Sequence, residues 1–165
     1  MLILITGVPG TGKTRIAKEI HRKYSKYKFI VVNDKNFSEF NELGSYNSEK
    51  EYEVDIVKLN KFLKSFLKEN KRKNYIFEGH LWGEVSKIIL RKFDFIFVLK
   101  SSKTLLRKRL IDRKYLPAKV EENLFCQTTE YIPVLLKSKS ISFNIINVTS
   151  DIHSNLNKIN KFVKL

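Results

Sequence analysis

The sequence predicts an α/β fold in which a five-stranded parallel sheet is covered by helices on both faces. Short apolar segments alternate with amphipathic ones along the whole chain, and a glycine-rich loop joins the first apolar segment to the first amphipathic one. Such alternation is typical of parallel sheets with helices on both faces. The length of 165 residues fits one domain with a sizeable core, so we expect a single domain over 1–165.

Five short apolar segments are predicted to form the strands of this sheet. Their runs of aliphatic and aromatic residues are typical of strands that are buried on both faces. The predicted strands cover residues 2–6, 29–32, 75–78, 93–99 and 142–148.

The segments between these strands carry the periodicity of amphipathic helices. Helices are predicted over 13–24, after an N-cap at Asp55, and over 104–113, 117–136 and 152–163, with short ones over 38–43 and 83–91. Pro117 suits the first turn of its helix, and Pro133 is predicted to kink or break the same helix. The rest of 33–52 is polar and is predicted to be irregular.

Composition excludes several classes of protein. Hydrophobic residues make up 42% of the chain, which is enough for a folded core. No apolar run approaches the roughly 20 residues of a membrane helix, and the run at the start is too short for a secretory signal. We therefore expect a cytoplasmic protein, or a nuclear one in a eukaryote, that does not cross a membrane. The single cysteine, Cys126, is interpreted as a small core residue on a helix.

The net charge of +15 has two interpretations that the sequence leaves open. One is a phosphate-rich partner such as RNA. The other is a compositional bias, because lysine, asparagine and isoleucine are all abundant and the lysines are spread along the chain.

The glycine-rich loop matches the Walker A pattern of nucleotide-binding proteins, with the strand before it and the helix after it in place. Its residues are Gly7, Val8, Pro9, Gly10, Thr11, Gly12, Lys13 and Thr14. Backbone amides of such a loop, together with the helix N-terminus, bind phosphate groups. Lys13 is expected to reach the outer phosphates of ATP, and the Thr14 hydroxyl to hold Mg²⁺.

Glu78 and His80 follow the third predicted strand, at the edge of the sheet where ligands bind in this class of fold. Glu78 is expected to hold Mg²⁺ through a water or to orient an attacking water, with a solvated loop carboxylate as the alternative. His80 is placed to contact phosphate or the same water. A hydrogen-bonded surface histidine is an equal alternative on the residues alone.

Arginines crowd the short helix predicted over 104–113. Arg109 and Arg113 are four residues apart and share a helix face, so they could close over the phosphates as a short lid covering 109–119. Guanidinium groups neutralise the charge of a phosphoryl group in transfer. The alternative is a solvated basic face, and Arg107 stays undecided. Residues 33–70 lie where small kinases bind the phosphate acceptor. Asn33, Asp34 and Lys35 follow the second predicted strand and could line that pocket, with a plain surface loop as an equal alternative.

These motifs together resemble the adenylate-kinase-like ribosome-assembly ATPases, a family that comprises the eukaryotic nuclear adenylate kinase isoenzyme, also called coilin-interacting nuclear ATPase, and its archaeal counterparts. The resemblance covers nearly the whole chain. It rests on the loop at 7–14, on 52–59 with the family's Tyr-x-x-Asp-x-x-Lys-Leu pattern, on 78–80 as a variant of its Asp-x-His motif, on the strand at 95–99, on the lid at 109–115, and on Glu122 and Asn123.

The resemblance implies a nucleoside monophosphate kinase-like P-loop enzyme that transfers phosphate from ATP to AMP with Mg²⁺ and also hydrolyses ATP. It further implies a role in maturation of the small ribosomal subunit with a platform ribosomal protein, and rRNA is a further candidate partner. The catalytic residues carried over are Lys13, Glu78, His80, Arg109 and Arg113. The alternatives are an ATP-gated assembly factor with little kinase activity and another small-molecule P-loop kinase.

The sequence departs from the family pattern at a few positions. Glu78 replaces an aspartate, Lys100 an arginine, Lys114 the lid glycine and Gln127 a frequent glutamate. The Gly-Gly-Gly run of shikimate kinases and the Gly-aromatic-Pro-Arg segment of ordinary adenylate kinases are both missing after the third predicted strand, which favours the ribosome-assembly family.

Overall fold

The computed structural model describes residues 1–48 and 52–163 of the chain. Its strands are β1 (Leu2–Thr6), β2 (Ile30–Asn33), β3 (Gly44–Tyr46), β4 (Tyr52–Val54), β5 (Tyr75–Glu78), β6 (Phe95–Ser101) and β7 (Asn144–Val148). The main sheet has the order β2-β5-β1-β6-β7, and all its strands are parallel. The predicted five-stranded parallel sheet is confirmed, with β1 at its centre.

Helices connect these strands and cover both faces of the sheet. They are α1 (Lys13–Lys23), α2 (Asp34–Phe40), α3 (Ile56–Glu69), α4 (Lys87–Leu90), α5 (Lys103–Asp112), α6 (Pro117–Thr128), α7 (Tyr131–Ser138) and α8 (Ile152–Asn160). The alternation of side chains along β1 explains the two layers, because successive residues of a strand point to opposite faces. Leu4 packs into the core beneath α3 and α7, whereas Ile3 and Ile5 pack into the core beneath α1 and α8.

The prediction of one long helix over 117–136 is wrong, because the structure has two helices there, α6 and α7. The break lies at Glu130, which adopts a left-handed backbone conformation with φ 55° and starts α7. Its carboxylate pairs with Lys100 of β6 at 2.6 Å, which joins the break to the sheet. Pro133 falls in the first turn of α7, where its missing N–H removes no helical hydrogen bond. It is therefore compatible with that helix and does not interrupt it.

The prediction that 33–52 is irregular is also wrong for those of its residues that the structure describes, 33–48 and 52. Asn33 caps α2 by accepting a hydrogen bond from the Asn36 amide, so the helix predicted over 38–43 begins earlier, at Asp34. β3 and β4 then form an antiparallel hairpin. Residues 49–51 of the predicted acceptor region lie outside the described residues. Instead of one helix over 83–91, the structure has a 3₁₀ turn at Leu81–Gly83 and the short α4.

Two further expectations concern composition. In the described parts of the chain, no helix has the length and apolar character needed to cross a membrane. Cys126 lies half-buried on α6 and packs against the small apolar cluster between α5 and α6.

Candidate active site

The glycine-rich loop lies between the end of β1 and the start of α1, as its pattern predicts. Gly7 has φ 142°, and a Cβ atom there would lie 2.6 Å from the Leu99 carbonyl oxygen of β6, so only glycine fits. The Thr11 hydroxyl donates to the Val8 carbonyl at 2.9 Å and holds the turn, and Pro9 lies half-buried between them. Gly10 and Gly12 also have positive φ angles. The loop therefore has the conformation that lets backbone amides surround an anion.

Lys13 curls back over this loop. Its ammonium donates to the carbonyls of Gly7 at 2.9 Å and Val8 at 3.1 Å, and the residue is only 9% exposed. Burial lowers the pKa of Lys13 to about 8, and the nearby Asp34 and Glu78 carboxylates oppose that shift. A buried cation with an unfavourable environment is a common property of sites that bind a charged ligand.

Glu78 connects the end of β5 to the loop. Its Oε1 accepts from the Thr14 hydroxyl at 3.0 Å and from the Asn33 side-chain amide at 2.7 Å. Its Oε2 is buried, and no hydrogen-bond partner reaches it in the described part of the structure. Buried polar atoms are rarely left without a partner, so this oxygen is available to a ligand or water.

The Thr14–Glu78 pair fits a magnesium ion. A hydroxyl and a carboxylate are hard oxygen donors of the kind that Mg²⁺ prefers, and the orphaned Oε2 supplies a free coordinating atom. Among residues 1–48 and 52–163, no group of at least three His, Cys, Asp or Glu side chains could hold a metal by itself. Magnesium in nucleotide enzymes is held by few side chains together with phosphate oxygens and water, which is the arrangement that these donors would support.

His80 lies one glycine beyond Glu78. Its Nδ1 is 3.5 Å from Oδ2 of Asp34, the first residue of α2, and about half of its side chain is exposed. The half-buried position of the imidazole lowers the pKa of His80, although the Asp34 carboxylate acts in the opposite direction. The sequence therefore placed His80 near the phosphate loop but did not identify its carboxylate partner.

Arginine side chains gather above the loop. Arg109 donates to the Gly10 carbonyl at 3.2 Å and to the Thr149 carbonyl at 3.4 Å. Burial lowers the pKa of Arg109, and the charges of Arg15 and Arg113 add to this effect. In the described part of the chain, no carboxylate pairs with any of these three guanidinium groups. Uncompensated cations beside a phosphate-binding loop are suited to bind an anion.

Two other basic residues, one before the predicted lid and one within it, have structural roles. Arg107, which the sequence left undecided, forms a bidentate ion pair with Glu121 and joins α5 to α6. Lys114 has φ 59°, a left-handed conformation that favours glycine, at the position where the resembled family has glycine.

A cleft of about 740 Å³ opens beside the Thr14–Glu78 pair. We call it the acceptor cleft, after the acceptor region that the sequence predicts there. It is lined by Thr14, Lys18, Val31, Val32, Asn33, Asn36, Phe37, Phe40, Asn41 and Glu78. Most of these residues come from β2 and α2, so the described part of the predicted acceptor region contributes its first residues to the cleft wall. Phe40 is 88% exposed there, and an aromatic ring in that position offers a flat face to a ligand.

The structure thus brings the predicted loop, Glu78, His80 and Arg109 together at one edge of the sheet. Arg113 is exposed at the end of α5, and its charge reaches Lys13 and Arg109. Sequence reasoning missed Arg15 and treated Asn33 and Asp34 as equally compatible with a surface loop. The Asn-Asp pair was a readable signal for them, because asparagine followed by an acidic residue is typical of a helix start.

Gln127 explains one departure from the resembled pattern. Its side-chain amide accepts from the Ser101 N–H at 3.0 Å and donates to the Ser101 carbonyl at 2.9 Å. A glutamate could accept from the backbone but could not donate to it, so this two-way contact requires the amide.

Comparisons with known proteins agree with this geometry. A family model described as an AAA domain matches residues 3–130. A Methanocaldococcus jannaschii protein named "Putative adenylate kinase" is 29% identical over 99% of this chain and 86% of its own length. A Pyrococcus furiosus protein of the same name is 30% identical over 99% and 87%. The Saccharomyces cerevisiae adenylate kinase isoenzyme 6 homolog is 31% identical over 74% and 59%.

Solved structures share the fold at low identity. A shikimate kinase from Acinetobacter baumannii has a TM-score of 0.66 and 14% identity, with 99% of this chain and 93% of that chain covered. One from Bacteroides thetaiotaomicron has a TM-score of 0.59 and 16% identity, with 100% and 99% covered. At such identities the likeness establishes the P-loop kinase fold and carries nothing about substrates.

Proposed function

The chain belongs to the AAA domain family and, within it, to the adenylate-kinase-like family of the archaeal and yeast relatives above, and from this premise we propose that it transfers phosphate from ATP to AMP. Its fold and family make it a kinase-like P-loop phosphotransferase. The observation that carries the finer proposal is the meeting of the phosphate loop and the acceptor cleft at Thr14 and Glu78, since both residues line the cleft.

The donor side of the proposed reaction uses the loop. Its amides and the Lys13 ammonium would bind the outer phosphates of ATP, and Lys13 would exchange the Gly7 and Val8 carbonyls for phosphate oxygens. Thr14 and Glu78 would hold Mg²⁺. When bound, the ion would neutralise charge on the transferred group.

The acceptor side uses the cleft. Its volume suits a nucleotide. Phe40 offers a stacking face, and the amides of Asn36 and Asn41 offer polar contacts for a base. The Asn41 amide nitrogen already donates one hydrogen to the Phe37 carbonyl, so its oxygen and its second N–H are left for a ligand. Lys18 supplies a cation for the acceptor phosphate.

In the proposed step an oxygen of the acceptor phosphate forms a bond to the γ-phosphorus of ATP, and the bond from that phosphorus to the β-bridging oxygen breaks. The products are two molecules of ADP. His80 would contact the transferred group or an attacking water, and Arg109 and Arg113 would neutralise its equatorial oxygens from the lid. Catalysis would consist mainly of positioning and charge stabilisation, as in other phosphoryl transfers.

We also propose slow ATP hydrolysis and a role in small-subunit maturation with a platform ribosomal protein, with rRNA as a further candidate partner. The family resemblance motivates this second function, and the net charge of +15 agrees with a phosphate-rich partner. In this reading the cell compartment is the cytoplasm, or the nucleus in a eukaryote. Nucleotide-dependent capture of the ribosomal protein would support it, and equal capture with and without ATP would contradict it.

The primary test follows ADP formation from ATP and Mg²⁺ with and without AMP. We expect AMP-dependent ADP formation in the wild type, its loss in Lys13→Ala, and no change in Lys92→Ala. Lys92 is an exposed lysine close before β6, at the opposite edge of the sheet. ADP formation that ignores AMP would contradict the kinase and favour the ATPase. Full turnover by Lys13→Ala would contradict both.

A further inference from the structure

Asp34 is a buried carboxylate that the proposed reaction does not use. It is 4% exposed and lies at the first position of α2, directly after β2. It does not line the acceptor cleft. A carboxylate is costly to bury unless hydrogen bonds or opposite charges compensate it, so its surroundings should explain its presence.

Both oxygens of Asp34 are engaged. Oδ1 accepts from the Lys35 amide at 2.8 Å, within its own helix. Oδ2 accepts from the Leu81 amide at 2.9 Å and lies 3.5 Å from Nδ1 of His80. One carboxylate thus joins the end of β2 to the segment that follows β5.

The glycine before His80 is fitted to this carboxylate. Gly79 has φ 148°, and a Cβ atom built there would lie 2.0 Å from Cγ of Asp34. A side chain at 79 and a carboxylate at 34 therefore exclude one another. The two positions act as a pair that brings the His80 backbone close to the end of β2.

The charges around Asp34 belong to the phosphate site. The Lys13 ammonium is close enough that Asp34 is the largest influence opposing its lowered pKa. Asp34 also leads the influences that oppose the lowered pKa of His80. The carboxylate therefore interacts with two residues of the candidate active site without reaching the cleft.

We propose that Asp34 is a positioning residue, whose carboxylate holds the 79–81 segment and the Nδ1–H of His80 so that Nε2 is the ring nitrogen offered to the reacting phosphate or its water. This inference rests on the proposed function for its effect on catalysis. The distance of 3.5 Å agrees with the role, because hydrogen bonds of catalytic groups are often long until substrate binds. The ring of a histidine held at one nitrogen by a carboxylate has a fixed tautomer and orientation.

The first test is structural and does not depend on activity. ¹⁵N NMR of the wild type should show a neutral His80 imidazole that carries its proton on Nδ1. Asp34→Ala should move the proton to Nε2, because Nδ1–H then loses its acceptor. Asp94→Ala is the matched control, since Asp94 Oδ2 also accepts a backbone amide from a distant segment, that of Leu2, but at the other edge of the sheet. An unchanged His80 tautomer in folded Asp34→Ala would overturn the inference even if the protein is an active kinase.

The second test is kinetic. Asp34→Ala should lower kcat by about 10- to 100-fold, in line with the cost of misplacing a catalytic group. In a His80→Ala background, Asp34→Ala should lower kcat much less, because residues that act through one another are not additive. Equal losses in both backgrounds would show a structural role and overturn the inference. A wild type without AMP-dependent turnover would instead contradict the proposed function and leave the NMR test decisive for Asp34.

Discussion

The polar groups at the two edges of the parallel sheet are arranged in opposite ways. Where the strands begin, they bond to one another. The Met1 ammonium donates to Asn74 Oδ1 at 2.7 Å, the Asn74 amide donates to the Tyr27 carbonyl at 2.6 Å, and the Leu2 amide donates to Asp94 at 2.7 Å. These contacts join chain ends and loops, and they leave little polar capacity for a ligand.

Where the strands end, some polar groups remain available for hydrogen bonds to a ligand. Among the described residues, buried side-chain oxygens of Thr6, Glu78 and Ser101 lack hydrogen-bond partners at the ends of β1, β5 and β6. Lys13 is buried with a lowered pKa beside them. The edge where the strands begin therefore stabilises the fold. The edge where they end holds polar and charged groups that can bind a ligand, and these groups lower the stability of the unliganded protein.

The largest effect should follow from Thr14→Val at the open edge. Valine keeps the shape but removes the hydroxyl that would hold Mg²⁺ and that donates to Glu78. We expect AMP-dependent turnover to fall on the order of 100- to 1,000-fold, as when other donors to a developing charge are removed. The assay of ADP formation measures this loss. The control is Thr129→Val, which removes an exposed hydroxyl at the end of α6. A loss below threefold would contradict the role of Thr14.

Lys13 should make stability depend on pH in an unusual direction. Its pKa is about 8 in the folded protein and 10.5 ordinarily, so folding disfavours its proton. The resulting penalty is fully present below about pH 8 and fades as the pH rises toward 10.5. It amounts to roughly 3 kcal/mol. Urea unfolding of the wild type and Lys13→Met at several pH values should show the stability gap between them narrowing over this window. A constant gap would contradict the prediction.

Asn74→Ala probes the satisfied edge. It leaves the Met1 ammonium and the Tyr27 carbonyl without their partner, so the free energy of unfolding should fall by about 2 kcal/mol. Turnover per folded molecule should stay at the wild-type level. Urea unfolding and the ADP assay on the same preparation separate the two effects. A loss of turnover without a loss of stability would reverse the assignment of the two edges.

Gln127→Glu tests whether part of the open edge is structural. The carboxylate cannot donate to the Ser101 carbonyl, so we expect a loss of about 1–2 kcal/mol in stability. Gln127→Ala, which removes both contacts, should cost a similar amount. If Gln127→Glu is as stable as the wild type in urea, the amide contact is dispensable and the departure from the family pattern is neutral.

The smallest effect is expected from Lys114→Gly in the predicted lid. Relief of the left-handed conformation gains roughly 1–2 kcal/mol, and the greater freedom of glycine in the unfolded chain offsets roughly 0.4–1 kcal/mol. The net gain should be about 0.5 kcal/mol, seen as a small rise in the thermal midpoint. Lys108→Gly, within the regular helix α5, should instead lower the midpoint.

The sheet and the phosphate loop could be predicted because long-range context only reinforces what their local sequence favours. The three central strands, β1, β5 and β6, are buried on both faces, and the loop pattern needs only its own residues. The break at Glu130 could not be predicted, because it depends on a left-handed glutamate tied to Lys100, thirty positions earlier in the chain. The contacts of Asp34 were equally hidden, since its partners His80 and Leu81 are distant in sequence.

The most direct test of the contrast between the edges is thermal unfolding of the wild type, Lys13→Met and Lys92→Met at neutral pH, each with and without Mg²⁺ and ATP. Without nucleotide, Lys13→Met should unfold at a higher temperature than the wild type, because a buried charge has been removed. With nucleotide, the wild type and Lys92→Met should gain stability and Lys13→Met should gain little. A less stable Lys13→Met that gains as much as the wild type would contradict the account.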